Sequence, residues 1–90
     1  MSETQVIRVH FWAAARAATG VAEEDVALPA PVTLAALRDA LVARHPGRAA
    51  DVLSVCSVLV GDRPVRSLAP EDVVVPAGEA VEFLPPFAGG

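Results

Sequence analysis

The chain ends in Phe83-Leu84-Pro85-Pro86-Phe87-Ala88-Gly89-Gly90. The reactive group at that tip is the α-carboxylate of Gly90. A carboxylate is a poor acyl donor until its oxygen is made a leaving group. An ATP-dependent partner would do this by forming an acyl-adenylate. A sulfur nucleophile displacing AMP would then leave a thiocarboxylate. That product keeps its charge on a polarizable sulfur and is a good nucleophile. The residues before the carboxylate suit its delivery into another protein's site. Pro85 and Pro86 fix φ and lack N–H donors, so they end sheet pairing and hold the last residues extended. Pro86 to Gly90 then reach roughly 15 Å at ~3.3 Å per residue. Ala88, Gly89 and Gly90 are slim enough for a narrow tunnel, and glycine lets a partner's backbone come close. With glycine at about 7% of residues, a chance Gly-Gly ending arises roughly once in 200 chains. The two prolines and the apolar strand before them give the pair its weight.

Other groups offer less. One cysteine and two histidines, His10 and His45, do not close a zinc site unaided. Cys56 falls in an apolar run with no cationic neighbour to lower its pKa, and reads as a small buried hydrophobe. His45 before Pro46 reads as a helix-end residue that complements the dipole. Glu23-Glu24-Asp25 reads as a solvated loop. There is no phosphate-binding glycine loop. A domain with no catalytic constellation is expected to be a handle for its tail, with the catalysis supplied by partners.

The bulk numbers agree with one small domain. Ninety residues bury only about 60–65% of the unfolded chain's surface, which leaves room for one modest core. The hydrophobic fraction is 53% and the charged fraction 20%, which excludes a disordered chain. A single cysteine excludes a disulfide scaffold. The net charge is -4 and all seven basic residues are arginine. That balance argues against nucleic acid as a partner. The missing lysine also leaves no side-chain amine to attack an activated carboxyl group. No apolar run approaches the ~20 residues that cross a bilayer, so no membrane partner is expected. Met1 to Gln5 lack the layout of a signal peptide, and a cytoplasmic location is expected.

The elements that must position the tail can be read from periodicity. Ile7, Val9 and Phe11 alternate with Arg8, His10 and Trp12, which predicts a half-buried strand. Ala13 to Ala18 predict a short helical turn closed by Gly20. A second strand is expected around residues 22–28. Thr33 offers an N-cap hydroxyl to a helix whose stripe is Leu34, Leu37 and Leu41. His45-Pro46-Gly47 ends it, and residues 48–53 add a further turn. Val55 to Val60 predict a strand, Gly61-Asp62 a turn, and Pro64-Val65 a short return strand. Val73 to Val75 and Ala80 to Leu84 complete the set. One main helix over a mixed sheet of about five strands is an α+β layout. With a hairpin at each end, it suits a β-grasp, or ubiquitin-like, roll. The domain is read as residues 1–84 and the tail as residues 85–90. First and last strands lie side by side in that fold, so the tail is expected to leave the middle of the sheet.

"VEFLPPFAGG" resembles the C-terminal signature of the MoaD/ThiS-like sulfur carriers, and most of all the small subunit of molybdopterin synthase. "VIRVHFWAAARAATG" is similar to that family's first strand and turn, and "TLAALRDALVARHP" to its helix. The chain departs from the family at Val60-Gly61, where members often carry Asn, and at Gly78-Glu79, where Gly-Asp is usual. The resemblance implies adenylation of Gly90 by an E1-like, MoeB-like enzyme, and then sulfuration by a sulfur donor. It implies insertion of the tail into a MoaE-like large subunit, which holds the catalytic site. Two carrier turnovers would supply the two sulfurs of the molybdopterin dithiolene. The carrier would bind no cofactor; ATP would be used by the activating partner. Carriers for cysteine, thiamin or secondary-metabolite synthesis remain open alternatives. So does a ubiquitin-like modifier joined through Gly90 to lysines, or an adaptor whose Gly-Gly end is incidental. Trp12, on the polar side of its strand, and Leu84, opposite in parity to Val81 and Phe83, are expected to form the partner interface with Phe87. Arg16 matches a family arginine that can pair with a partner carboxylate.

Overall fold

The computed structural model describes residues 3–65 and 69–85. Strand β1 (Thr4–Phe11) is followed by helix α1 (Ala14–Thr19) and strand β2 (Glu23–Pro29). A two-residue strand β3 (Val32–Thr33) leads into the main helix α2 (Leu34–Arg44), and a shorter helix α3 (Ala49–Val55) comes next. Strands β4 (Ser57–Val60) and β5 (Arg63–Pro64) form a hairpin. A short 3-10 turn at Pro70–Asp72 precedes β6 (Val74–Val75) and the last strand, β7 (Val81–Leu84).

Five strands form one mixed sheet in the order β2-β1-β7-β4-β5. β7 is therefore the middle strand. It pairs in parallel with β1 (Val9 with Val81, Phe11 with Phe83) and antiparallel with β4 (Ser57 with Leu84, Val60 with Val81). This is the β-grasp arrangement. β3 and β6 form a separate two-stranded ribbon. The Gln5 side-chain amide ties it to β1 by donating to the Val75 carbonyl at 2.8 Å.

The strand period of two puts one face of the sheet inside. Ile7, Val9, Phe11, Val26, Val58, Val60, Val81 and Phe83 are buried there. Leu34, Leu37 and Leu41 of α2 close over them, joined by Ala15, Ala49 and Leu53. Each large apolar side chain so buried contributes about 1.5–3 kcal/mol. Thr33 caps α2, its Oγ1 accepting from the Ala36 N–H at 3.1 Å. Gly20 ends α1 in the left-handed region at φ 81, where a side chain would be strained.

Three expectations are corrected. Val55 belongs to α3, and Cys56 is the cap of that helix, half-buried, and not a strand residue. Its thiol donates to the Val52 carbonyl at 3.2 Å, which continues the helical turn in place of the sheet. The β-branched run misleads because the last turn of α3 buries only Leu53. Glu23-Glu24-Asp25 are not a solvated loop. They open β2, and each carboxylate has a basic partner. Strand β3 has no counterpart among the expected elements, since its two residues also serve as the entry to α2.

Candidate functional site: the tail root and the open sheet face

The tail's root is fixed where β1 ends beside β7. Phe83 is fully buried and stacks on Phe11, with centroids 5.9 Å apart and planes at 23°. Phe11 in turn meets the edge of His45 at 6.0 Å and 80°. His45 and Arg44, at the end of α2, both pair with the largely buried Glu24, Arg44 at 3.3 Å. Arg44 also donates to the Asp25 carbonyl at 3.2 Å. Helix end, edge strand and tail root are thus locked into one cluster. The Trp12 N–H extends the β1–β7 ladder by donating to the Phe83 carbonyl at 3.2 Å. Past Leu84 the ladder stops at Pro85, which has no N–H to give.

The other face of the sheet is open. Trp12 is 50% exposed at the end of β1, as its parity predicts. Leu84 is half-buried on the same face, with Leu59 and Ser57 of β4 across from β7. The indole Nε1 donates to the Glu82 carboxylate at 3.1 Å. Nearer β2 the face is ionic. Arg8 bonds Asp25 at 2.5 Å and Glu23 at 3.4 Å, and His10 pairs with Glu23 at 3.2 Å. Those carboxylates raise the pKa of the half-exposed Arg8 guanidinium, the hydrogen bond it donates to Asp25 most of all.

A notch of about 140 Å³ lies at the C-terminal end of β1, lined by His10, Trp12, Ala13, Arg16 and Glu23 among others. Arg16 is exposed there and has no acidic partner among the described residues. Ala13, between Trp12 and α1, has φ 49 and ψ -119, a conformation that strains a residue with a Cβ. It turns the chain sharply after Trp12 and so brings Arg16 back beside the indole.

The structure therefore places Trp12 beside the strand that ends in Leu84 and Pro85, and Arg16 in the same notch as Trp12. Pro86, Phe87, Ala88, Gly89 and Gly90 lie outside the described residues, so the proposed roles of Phe87 and Gly90 are not placed. Glu82 joins this face without having been selected by the sequence reading. Its parity, opposite to the buried Val81 and Phe83, is the signal that puts it beside Trp12. Among the described residues no group of three or more His, Cys, Asp or Glu stands together as a metal site. Among the described residues no helix is long and apolar enough to cross a membrane.

The sulfur carrier subunit of molybdopterin synthase from Aspergillus niger is 36% identical over 90 residues, spanning 100% of both chains. Two solved structures share the fold. SAMP1 from Haloferax volcanii superposes with a TM-score of 0.78 at 22% identity, covering 94% of this chain and 99% of its own. A chain in the Helicobacter pylori complex of subunits 1 and 2 of molybdopterin-converting factor gives 0.61 at 23%, covering 96% and 100%. The ThiS family model matches residues 9–90, nearly the whole β-grasp and the tail with it, and the chain belongs to that family.

Proposed function

We propose that the chain is a sulfur carrier whose Gly90 carboxylate is activated and sulfurated by other proteins, and that it serves molybdopterin synthesis. The observation that carries this reading is the whole-length match to the Aspergillus niger sulfur carrier subunit. An E1-like enzyme transfers AMP from ATP to the carboxylate and releases pyrophosphate. A sulfide equivalent from a sulfur donor then displaces AMP. The thiocarboxylate sulfur bonds to an electrophilic carbon of the acceptor as an oxygen substituent leaves that carbon, and hydrolysis of the resulting thioester leaves a thiol on the acceptor and restores the carboxylate. Each acceptor dithiolene consumes two carriers.

The body of the protein serves as the handle. A large synthase subunit docks on the open face around Trp12 and Leu84 and receives Phe87 and the slim end. The Helicobacter pylori complex supports a large-subunit partner of this kind. Arg16, exposed in its notch, meets a carboxylate of that partner. An exposed aromatic at the centre of such a face is a natural anchor for binding.

The test is reconstitution with a molybdopterin synthase large subunit, an activating enzyme, ATP and a sulfur donor. The full chain is expected to support sulfur transfer to the pterin acceptor, and a chain lacking Gly90 to support none. Amide-linked adducts on lysines of other proteins, without pterin sulfuration, would favour the modifier instead.

A further inference from the structure

The open face carries two kinds of charge. On its β1–β2 side the ions are paired within the chain: Arg8 with Asp25 and Glu23, and His10 with Glu23. Glu82 differs. It stands on the middle strand, level with His10 of β1 and Leu59 of β4. One of its oxygens accepts from the Trp12 indole at 3.1 Å. No basic side chain reaches it within ion-pair distance among the described residues.

That contact couples two properties. The indole is half-exposed and donates to a charged acceptor, a hydrogen bond stronger than one to a neutral group. A partner that covers Trp12 with an apolar pocket must also cover Glu82, because the two touch. A carboxylate removed from water without a cation or donors is strongly unfavourable. An apolar pocket alone therefore does not fit this face, and a partner that sets an acidic group against Glu82 is repelled.

We propose that Glu82 is the specificity-determining residue of the docking face: it positions the Trp12 indole and admits only a partner that sets a basic side chain beside its tryptophan pocket. This rests on the reading of the open face as the surface that meets the large subunit. Glu82 acts on the sulfur-transfer reaction through docking and takes no part in the chemistry at Gly90.

Trp12 is the single tryptophan and the chain has no tyrosine, so its fluorescence reports on the contact without any partner. Three variants separate the roles. Glu82→Gln keeps an oxygen that accepts from the indole and loses the charge. Glu82→Ala loses both, and Glu82→Arg reverses the charge. In the free protein, Glu82→Gln is expected to keep the wild-type anisotropy and acrylamide quenching of Trp12. Glu82→Ala is expected to lower the anisotropy and raise the quenching, with an unchanged far-UV circular dichroism spectrum.

With the molybdopterin synthase large subunit from the same organism as probe, Glu82→Gln is expected to weaken binding by about 3- to 10-fold and to flatten its salt dependence. Glu82→Arg should weaken it by about 100-fold or more, as like charges meet. Trp12 fluorescence in Glu82→Ala identical to wild type would overturn the positioning role. Wild-type affinity and salt dependence in Glu82→Gln would overturn the charge selection. If wild type itself does not bind the large subunit, the docking reading fails and charge selection with it, while the fluorescence of the free protein still decides the positioning.

Discussion

Ala13 shows how one residue sets the geometry of the site. Its φ of 49 places a Cβ where only glycine is at ease. The turn it makes swings the chain from Trp12 into α1 and creates the notch that holds Arg16. Strain of this kind costs about 1–3 kcal/mol, and a glycine loses about 0.4–1 kcal/mol through the freer unfolded chain. Ala13→Gly is therefore expected to stabilise the protein by about 1 kcal/mol, which raises the melting temperature by roughly 4–8 °C in a domain this size. Calorimetry that found a lower melting temperature would contradict the strain. Cys56 makes a second case at this scale. Burial raises its thiol pKa above the ordinary value of 9.0. The folded state thus holds the thiol proton more tightly than the unfolded state does. That contribution to stability is fully present below the ordinary value and is lost as pH rises through the folded one. Stability measured against a Cys56→Ala control should therefore fall more steeply at alkaline pH. At neutral pH the thiol should react more slowly with iodoacetamide in the native protein than in denaturant. Equal rates would show that it is neither shielded nor shifted.

Among the elements, β7 has the most to do. It pairs on both sides, buries Val81 and Phe83 completely, and turns Glu82 and Leu84 outward. The chain that leaves such a strand at Pro85 starts from a fixed point. Removing the ring that holds it should be costly. Phe83→Ala is expected to destabilise the fold by about 3–5 kcal/mol, read from urea unfolding; a loss below about 1 kcal/mol, the scale of a surface change, would mean that Phe83 is not the anchor. Much of this was legible in the sequence. Ile7, Val9 and Phe11 against Arg8, His10 and Trp12 define the inner and outer faces of β1, and the same alternation does so for β7. The Leu34, Leu37 and Leu41 stripe and the Thr33 cap locate α2. The misreadings have a common cause. Val55 and Cys56 look β-like locally, yet the packing of Leu53 and Ala49 extends a helix to Val55, as tertiary contacts override propensity. Glu24 looks solvated until the fold brings His45 and Arg44 to it from about 20 residues along the chain. Pairings of that range are set by topology and leave no mark in a local pattern.

At the scale of the whole molecule, the proposed carrier role treats the β-grasp body as a handle for a reactive C-terminus. The charged groups around β2 are matched within the chain, while Trp12, Leu84 and Glu82 stand on the open face and Arg16 lies in the notch beside Trp12. The body is also poor in competing nucleophiles. Its seven basic residues are all arginine and its single thiol is half-buried, so an activated Gly90 finds no side-chain amine on a second copy of itself. The central claim is that the tip carries sulfur. Intact-mass measurement after incubation with an E1-like activating enzyme, ATP and a sulfur donor tests it most directly. The account predicts one oxygen-to-sulfur exchange per chain, confined to the C-terminal peptide that ends at Gly90 and absent when ATP is withheld. An unchanged mass, with an enzyme that sulfurates another ThiS-family carrier in the same reaction, would contradict it.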